Sequence, residues 1–244
     1  MKKLIVITGA GSGFGKKMAK TFSEMGHPLL LIGRNKTALD QLGLANTMTR
    51  SVDVGNQAAF NEAILAAELV YGDVDLLINN AGQMLLGDVG NQAAAEWERM
   101  INVNLFGTLN GIQAVLPAMT ERKSGTIINV SSIAGFKAFE NHAAYCATKF
   151  GIHGLTETVR LEASKNNVRI LLISPGAAET PLLGHTTRDD IKDGYHAWKQ
   201  TMGGVSMDPK AVANAVAFMY AMPQEVSIRE IVIASTLQDN KVDR

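Results

Sequence analysis

Residues 4–15 read Leu4-Ile5-Val6-Ile7-Thr8-Gly9-Ala10-Gly11-Ser12-Gly13-Phe14-Gly15. Four apolar residues and a threonine run into four glycines within seven positions. The apolar run has the length of a strand, and it stops where glycine lets the chain turn sharply. A helical pattern follows over 13–24, so the stretch reads as strand, turn and helix. Glycines at such a turn let the backbone approach a phosphate, whose charge the free amides of a helix start favour. The spacing is G-x-x-x-G-x-G through Gly9, Gly13 and Gly15, because Phe14 rather than glycine stands three residues after Gly11. The lysine of a P-loop is not in register, which disfavours nucleotide hydrolysis.

Outward from this turn the same rhythm repeats. Strands are predicted over 4–8, 28–32, 47–52, 74–78, 126–130, 169–173 and 230–233, and helices over 13–24, 56–70, 97–119, 143–164 and 209–220. Most strands are continuously apolar, as expected where helices cover both faces of a parallel sheet. Unbroken strand–helix alternation predicts a doubly wound α/β fold with a seven-stranded, mostly parallel sheet. The chain has 244 residues, 46% of them hydrophobic, enough for one domain over 1–244 with a substantial core. The stretch 180–207 departs from the rhythm, and so long a connection is expected to serve the substrate.

Charge and cysteine content exclude some roles. Lysine plus arginine and aspartate plus glutamate both total 23, which leaves no net charge to grip a polyanion, so nucleic acid is not an expected partner. After Met1-Lys2-Lys3 the apolar run lasts four residues, too short for a signal peptide or a spanning helix, and no membrane association is expected. One cysteine cannot form an internal disulfide, which fits a reducing cytoplasm. The five histidines show no metal-ligand spacing, and no metal is predicted.

Two short stretches point to chemistry. The second strand ends in Leu31-Ile32-Gly33-Arg34-Asn35, with no acid to accept from a ribose 2′-hydroxyl. Arg34 can instead take a 2′-phosphate in a bidentate grip, so NADP(H) is expected over NAD(H). In Tyr145-Cys146-Ala147-Thr148-Lys149, the tyrosine and lysine share a helix face four residues apart. A free tyrosine titrates near ~10, and a nearby ammonium favours the phenolate, which makes proton exchange with an alcohol feasible. Cys146 with His142 as its base is the rival reading, and a small packing residue is the expected role of the cysteine.

With Gly9, Gly13 and Gly15, Asn80-Ala81-Gly82, Asn104, Ser132, Tyr145-x3-Lys149 and Pro175-Gly176 in order, the chain resembles the short-chain dehydrogenase/reductase family over essentially its whole length. The resemblance implies a Rossmann fold and a catalytic set of Asn104, Ser132, Tyr145 and Lys149. Tyr145 would be the general acid–base. Lys149 would lower its pKa and bind the nicotinamide ribose. Ser132, with Ser131 as its rival, would orient the substrate oxygen, and Asn104 would hold a helix distortion and a relay water. Cofactor contacts are implied for Gly9, Ser12, Gly13, Phe14, Gly15, Arg34, Asp53, Val54, Asn80, Ala81, Gly82, Tyr145, Lys149, Pro175, Gly176 and Thr180.

The same resemblance implies a small carbonyl or alcohol substrate and a homodimer or homotetramer paired through the helices that begin near Trp97 and Ala143. The short polar end of the chain is similar to the branch of NADP-dependent 3-hydroxy acid dehydrogenases. Leu85, Leu86, Phe136, Leu183 and Trp198 are expected as apolar walls of the substrate site. Arg188 and Lys199 are the candidates for pairing with a substrate carboxylate. A catalytically silent NADP-binding sensor or scaffold is the alternative function, and a cofactor-retaining epimerase would need a larger substrate domain.

Overall fold

The first strand divides its side chains between two cores. In this computed structural model, which describes residues 2–201 and 206–239, β1 spans Leu4–Thr8 and is buried along its length. Leu4 and Val6 belong to one core cluster and Ile5 and Ile7 to the other. The alternation follows from the two-residue period of a strand. Strands β2 (Leu29–Gly33) and β4 (Val74–Asn79) repeat it: Leu30, Ile32 and Leu77 face the first cluster, and Leu29, Leu31, Leu76 and Ile78 face the second.

Strands β3 (Thr47–Ser51), β5 (Thr126–Val130), β6 (Arg169–Pro175) and β7 (Glu230–Ile233) complete the sheet. Its order is β3-β2-β1-β4-β5-β6-β7, and every ladder is parallel. Helices α1 (Gly13–Glu24) and α8 (Pro209–Ala221) cover one face through Met18, Phe22, Val212 and Val216. Helices α3 (Gln57–Tyr71), α5 (Gly107–Glu121) and α6 (Ala143–Ser164) cover the other through Phe60, Ile64, Ile112 and Val159. Each such side chain contributes about 1.5–3 kcal/mol on burial, and burial on both faces accounts for the unbroken apolar runs of the strands.

The strand order reverses between β1 and β4, and a crevice opens beyond their carboxyl ends. Thr8 ties the two ends together. The N–H groups of Asn80 and Ala81 both donate to its hydroxyl at 2.9 Å, and Asn80 Nδ2 donates to its carbonyl at 2.8 Å.

Three elements differ from expectation. A short helix, α2 (Lys36–Asp40), follows β2, capped by Asn35, whose Oδ1 accepts from Ala38 N–H at 3.0 Å. Helix α7 (Asp189–Thr201) occupies much of the irregular 180–207 stretch, where residues 202–205 lie outside the described residues, as do residues 1 and 240–244. The helix expected over 97–119 is α4 (Ala94–Met100), a π-helical turn over Ile101–Phe106, and then α5. Such π turns widen a helix by an inserted residue and occur frequently at functional sites.

Candidate active site

Close packing of backbone against backbone shapes the crevice floor. Gly9 has φ +64°, and a Cβ there would stand 2.9 Å from the Ala81 Cα. Gly13, at the start of α1, has φ +50°, a conformation that side chains resist. A Cβ on Gly15 would collide with the carbonyl oxygen of Gly9. The turn is therefore drawn tightly around the helix start, which suits an anionic group on free amides.

The cleft above it has a volume of about 360 Å³. Gly9, Ser12, Gly13 and Phe14 line it from the turn, and Arg34, Asp53 and Val54 from the ends of β2 and β3. Asn80, Ala81, Gly82, Tyr145, Lys149 and Thr180 close the other side. Of the residues expected to touch the cofactor, Gly15 supports the turn from behind, and Pro175 and Gly176 line the neighbouring cavity instead. Asp53 is partly engaged locally, its Oδ1 accepting from Gly55 N–H at 2.9 Å. With the Gln83 amide turned to satisfy its neighbours, its oxygen accepts from both terminal nitrogens of Arg34, at 3.0 and 2.8 Å. Nothing in the sequence pattern marks Gln83 or His185, both of which also line the cleft.

Asn104 sits in the π turn, fully buried. Its Oδ1 accepts from Gln83 N–H at 2.7 Å, and its Nδ2 donates to the Gln83 carbonyl at 2.9 Å and to Thr148 Oγ1 at 3.0 Å. Thr148 in turn donates to the Tyr145 carbonyl at 2.8 Å. Asn104 thus lines neither cavity; it joins the segment after β4 to the turn of α6 that carries Tyr145.

Tyr145 and Lys149 are both buried on one face of α6. Lys149 Nζ donates to the Val130 carbonyl at 2.9 Å and lies 5.6 Å from the centre of the Tyr145 ring. The expected lowering of the tyrosine pKa does not appear here. Burial dominates and holds the phenol well above its ordinary value, although the nearby Ser132 hydroxyl opposes the shift. Burial also brings Lys149 down to about 8. The ammonium is held by the Val130 carbonyl beside the Tyr145 ring. Burial thus favours the neutral phenol of Tyr145.

The serine rivals differ in geometry. Ser131 Oγ donates to the Lys149 carbonyl at 3.3 Å. Ser132 caps the turn Ile133–Gly135, its Oγ accepting from Ala134 N–H at 3.1 Å, and it lines a second cavity together with Tyr145. Cys146 and His142 form no dyad: the thiol faces the Lys137 carbonyl, burial pushes its pKa up, and His142 Nδ1 is hydrogen-bonded to the Glu140 carbonyl at 2.5 Å.

A family model described as short chain dehydrogenase matches residues 3–191, which take in the glycine turn, Asn104, Ser132, Tyr145 and Lys149. The chain belongs to the short-chain dehydrogenase family. It is 35% identical over 235 residues to an uncharacterized oxidoreductase of Staphylococcus aureus (strain MW2), covering 95% of this chain and 96% of that one. Among solved structures it superimposes on a serine dehydrogenase in its closed form complexed with NADP+, with a TM-score of 0.89, 29% identity and 96% of each chain covered. It also superimposes on a 3-ketoacyl-(acyl-carrier-protein) reductase from Brucella melitensis complexed with NADH, with a TM-score of 0.85, 27% identity and 97% and 98% of the chains covered.

In this short-chain dehydrogenase the second cavity has a volume of about 610 Å³ and lies between α7 and the segment that carries Ser132 and Tyr145. Leu86, Leu183 and Trp198 line it as expected, whereas Leu85 does not, and Phe136 stacks edge-on against His153 at 5.9 Å. Arg188 and Lys199 are also on its wall, each paired with an acid. Among the described residues no helix is long and apolar enough to cross a membrane, and no group of three or more His, Cys, Asp or Glu could hold a metal.

Proposed function

We propose that this short-chain dehydrogenase is an NADP(H)-dependent oxidoreductase that interconverts a secondary alcohol and a ketone or aldehyde, with Tyr145 as the general acid–base. The observation that carries this reading is that Tyr145 borders both cavities, the glycine-floored cleft and the apolar one. A group at that junction reaches a substrate oxygen on one side and a bound dinucleotide on the other.

The tight turn at Gly9, Gly13 and Gly15 suits a pyrophosphate, and Arg34, on the same cleft wall, would exchange its Gln83 contact for a 2′-phosphate. When bound, the nicotinamide supplies a hydride to the carbonyl carbon or, oxidised, takes one from the alcohol. Tyr145 gives its phenolic proton to the carbonyl oxygen in reduction and recovers it in oxidation. Ser132 donates a hydrogen bond to the same oxygen. Lys149 holds the nicotinamide ribose, Thr180 borders the same cleft, and Pro175 and Gly176, on the wall of the neighbouring cavity, meet the nicotinamide from that side. Asn104 fixes the turn on which Tyr145 rides.

On this reading the 1–244 domain works in the cytoplasm as a homodimer or homotetramer, and the 180–207 segment receives the substrate. The test is Tyr145→Phe. The variant should bind NADPH with unchanged affinity while turnover of a carbonyl panel falls by about 10²–10⁴-fold; turnover near wild type would remove Tyr145 from the chemistry.

A further inference from the structure

The wall of the second cavity carries information about what it accepts. Four rings close a circuit around one side: His142 and Tyr195 have centroids 6.1 Å apart, Tyr195 and Trp198 5.2 Å, Trp198 and Phe139 6.1 Å, and Phe139 and His142 5.6 Å. The circuit reaches the acid–base group, because His142 also meets the Tyr145 ring edge-on at 6.4 Å. All five rings line the cavity. Planar apolar surface of this kind pairs best with another ring, offset or edge-on.

Charge on the same wall disfavours an anion. Its two cations are both engaged: Arg188 donates to Asp190 at 2.8 and 2.5 Å and lies 3.6 Å from Asp88, and Lys199 donates to Glu179 at 2.9 Å. Three carboxylates (Glu140, Glu179 and Asp190) face those two cations in the lining. Burial lowers the pKa of His142 and raises that of Tyr195 to about 12, so both rings are neutral near pH 7. A substrate carboxylate would compete with Asp190 and Glu179 for these cations, and would meet the surplus acid.

Building on the reading of this protein as a carbonyl–alcohol oxidoreductase, we propose that its substrate is an uncharged ketone, or the matching alcohol, bearing a six-membered ring that packs against His142, Tyr195, Trp198 and Phe139. The reaction balances as the ketone plus NADPH plus a proton giving the alcohol plus NADP+, with the hydride going to the carbonyl carbon and the proton to its oxygen. This differs from the 3-hydroxy acid substrates that the short polar end of the chain implies by resemblance, and a comparison of ketones decides between the two.

Three methyl ketones that differ only in one substituent test this: phenylacetone, acetoacetate and methyl acetoacetate, each reduced with NADPH. The expected order of kcat/KM is phenylacetone first, the methyl ester next and acetoacetate last, with at least about tenfold between first and last. Trp198→Ala should lower kcat/KM for phenylacetone by about tenfold and shrink the gap. Acetoacetate turned over as well as phenylacetone, or better, overturns the ring assignment and leaves the oxidoreductase reading standing.

Binding separates the two readings when turnover is missing. The chain has two tryptophans, so Trp97→Phe leaves Trp198 as the fluorescent reporter. Saturable quenching by phenylacetone but not by acetoacetate, with no ketone reduced, supports the ring site and counts against the reductase chemistry. Quenching by neither, or by acetoacetate alone, overturns the ring site.

Discussion

The two cavities that meet at Tyr145 are built by different means. The glycine-floored cleft is made of backbone: amides at a helix start, residues at positive φ, and approaches so close that a Cβ has no room. The apolar cavity is made of side chains from α7 and the segments before α6, with rings and paired charges on its wall. Backbone sites tolerate few residue types and leave a spelling that can be read. Side-chain sites can be re-walled by almost any apolar residue, so their specificity shows only in three dimensions.

Four measurements press on that contrast, from the largest effect to the smallest, beside the Tyr145→Phe test. Gly15→Val drives a branched side chain into the Gly9 carbonyl and should abolish saturable NADPH binding in an equilibrium titration. Retained binding would mean that the turn is not the phosphate floor. Arg34→Ala should raise the Kd for NADPH by about 10–100-fold and leave that for NADH nearly unchanged, since a charge-assisted bidentate contact contributes about 1.5–3 kcal/mol. Equal losses for both coenzymes would remove the 2′-phosphate role.

Asn104→Ala strips three hydrogen bonds and leaves the Gln83 backbone unpartnered, so denaturant unfolding should show a loss of about 1–3 kcal/mol. The smallest effect is one of pH. Lys149 titrates near 8 when folded, below its ordinary value, so the unfolded chain binds more protons between pH 8 and about 10. Stability should therefore rise with pH in that window, by a few degrees of Tm. Above it, the raised phenol of Tyr145 works in the opposite direction, because the unfolded chain then loses its proton first. Lys149→Met should flatten the rise; an unchanged slope would place its origin elsewhere.

Legibility followed the same divide. The strand cores were readable because Leu4–Thr8, Thr126–Val130 and Glu230–Ile233 are apolar runs closed by turns. Helix α2 escaped because five residues carry too little periodicity, and β6 runs on to Pro175 because a strand end can spare an N–H. The π turn over Ile101–Phe106 escaped because helix flanks it on both sides and no breaker residue marks the insertion. In the site, Asn104, Ser132, Tyr145 and Lys149 were visible only as a set in family order. The Gln83–Arg34 contact and the pairing of Lys199 with Glu179 arise from neighbours far apart in sequence, and the burial that dominates the Tyr145 phenol is a property of the packed fold.

The π turn over Ile101–Phe106 carries one residue more than the helix around it needs. Removing that residue would turn α4 by about 100° relative to α5, carrying Met100 out of its core cluster while α5 stays seated through Ile112, Val115 and Met119. The extra residue thus sets the phase between two helices, so that one faces the sheet and the other faces the site.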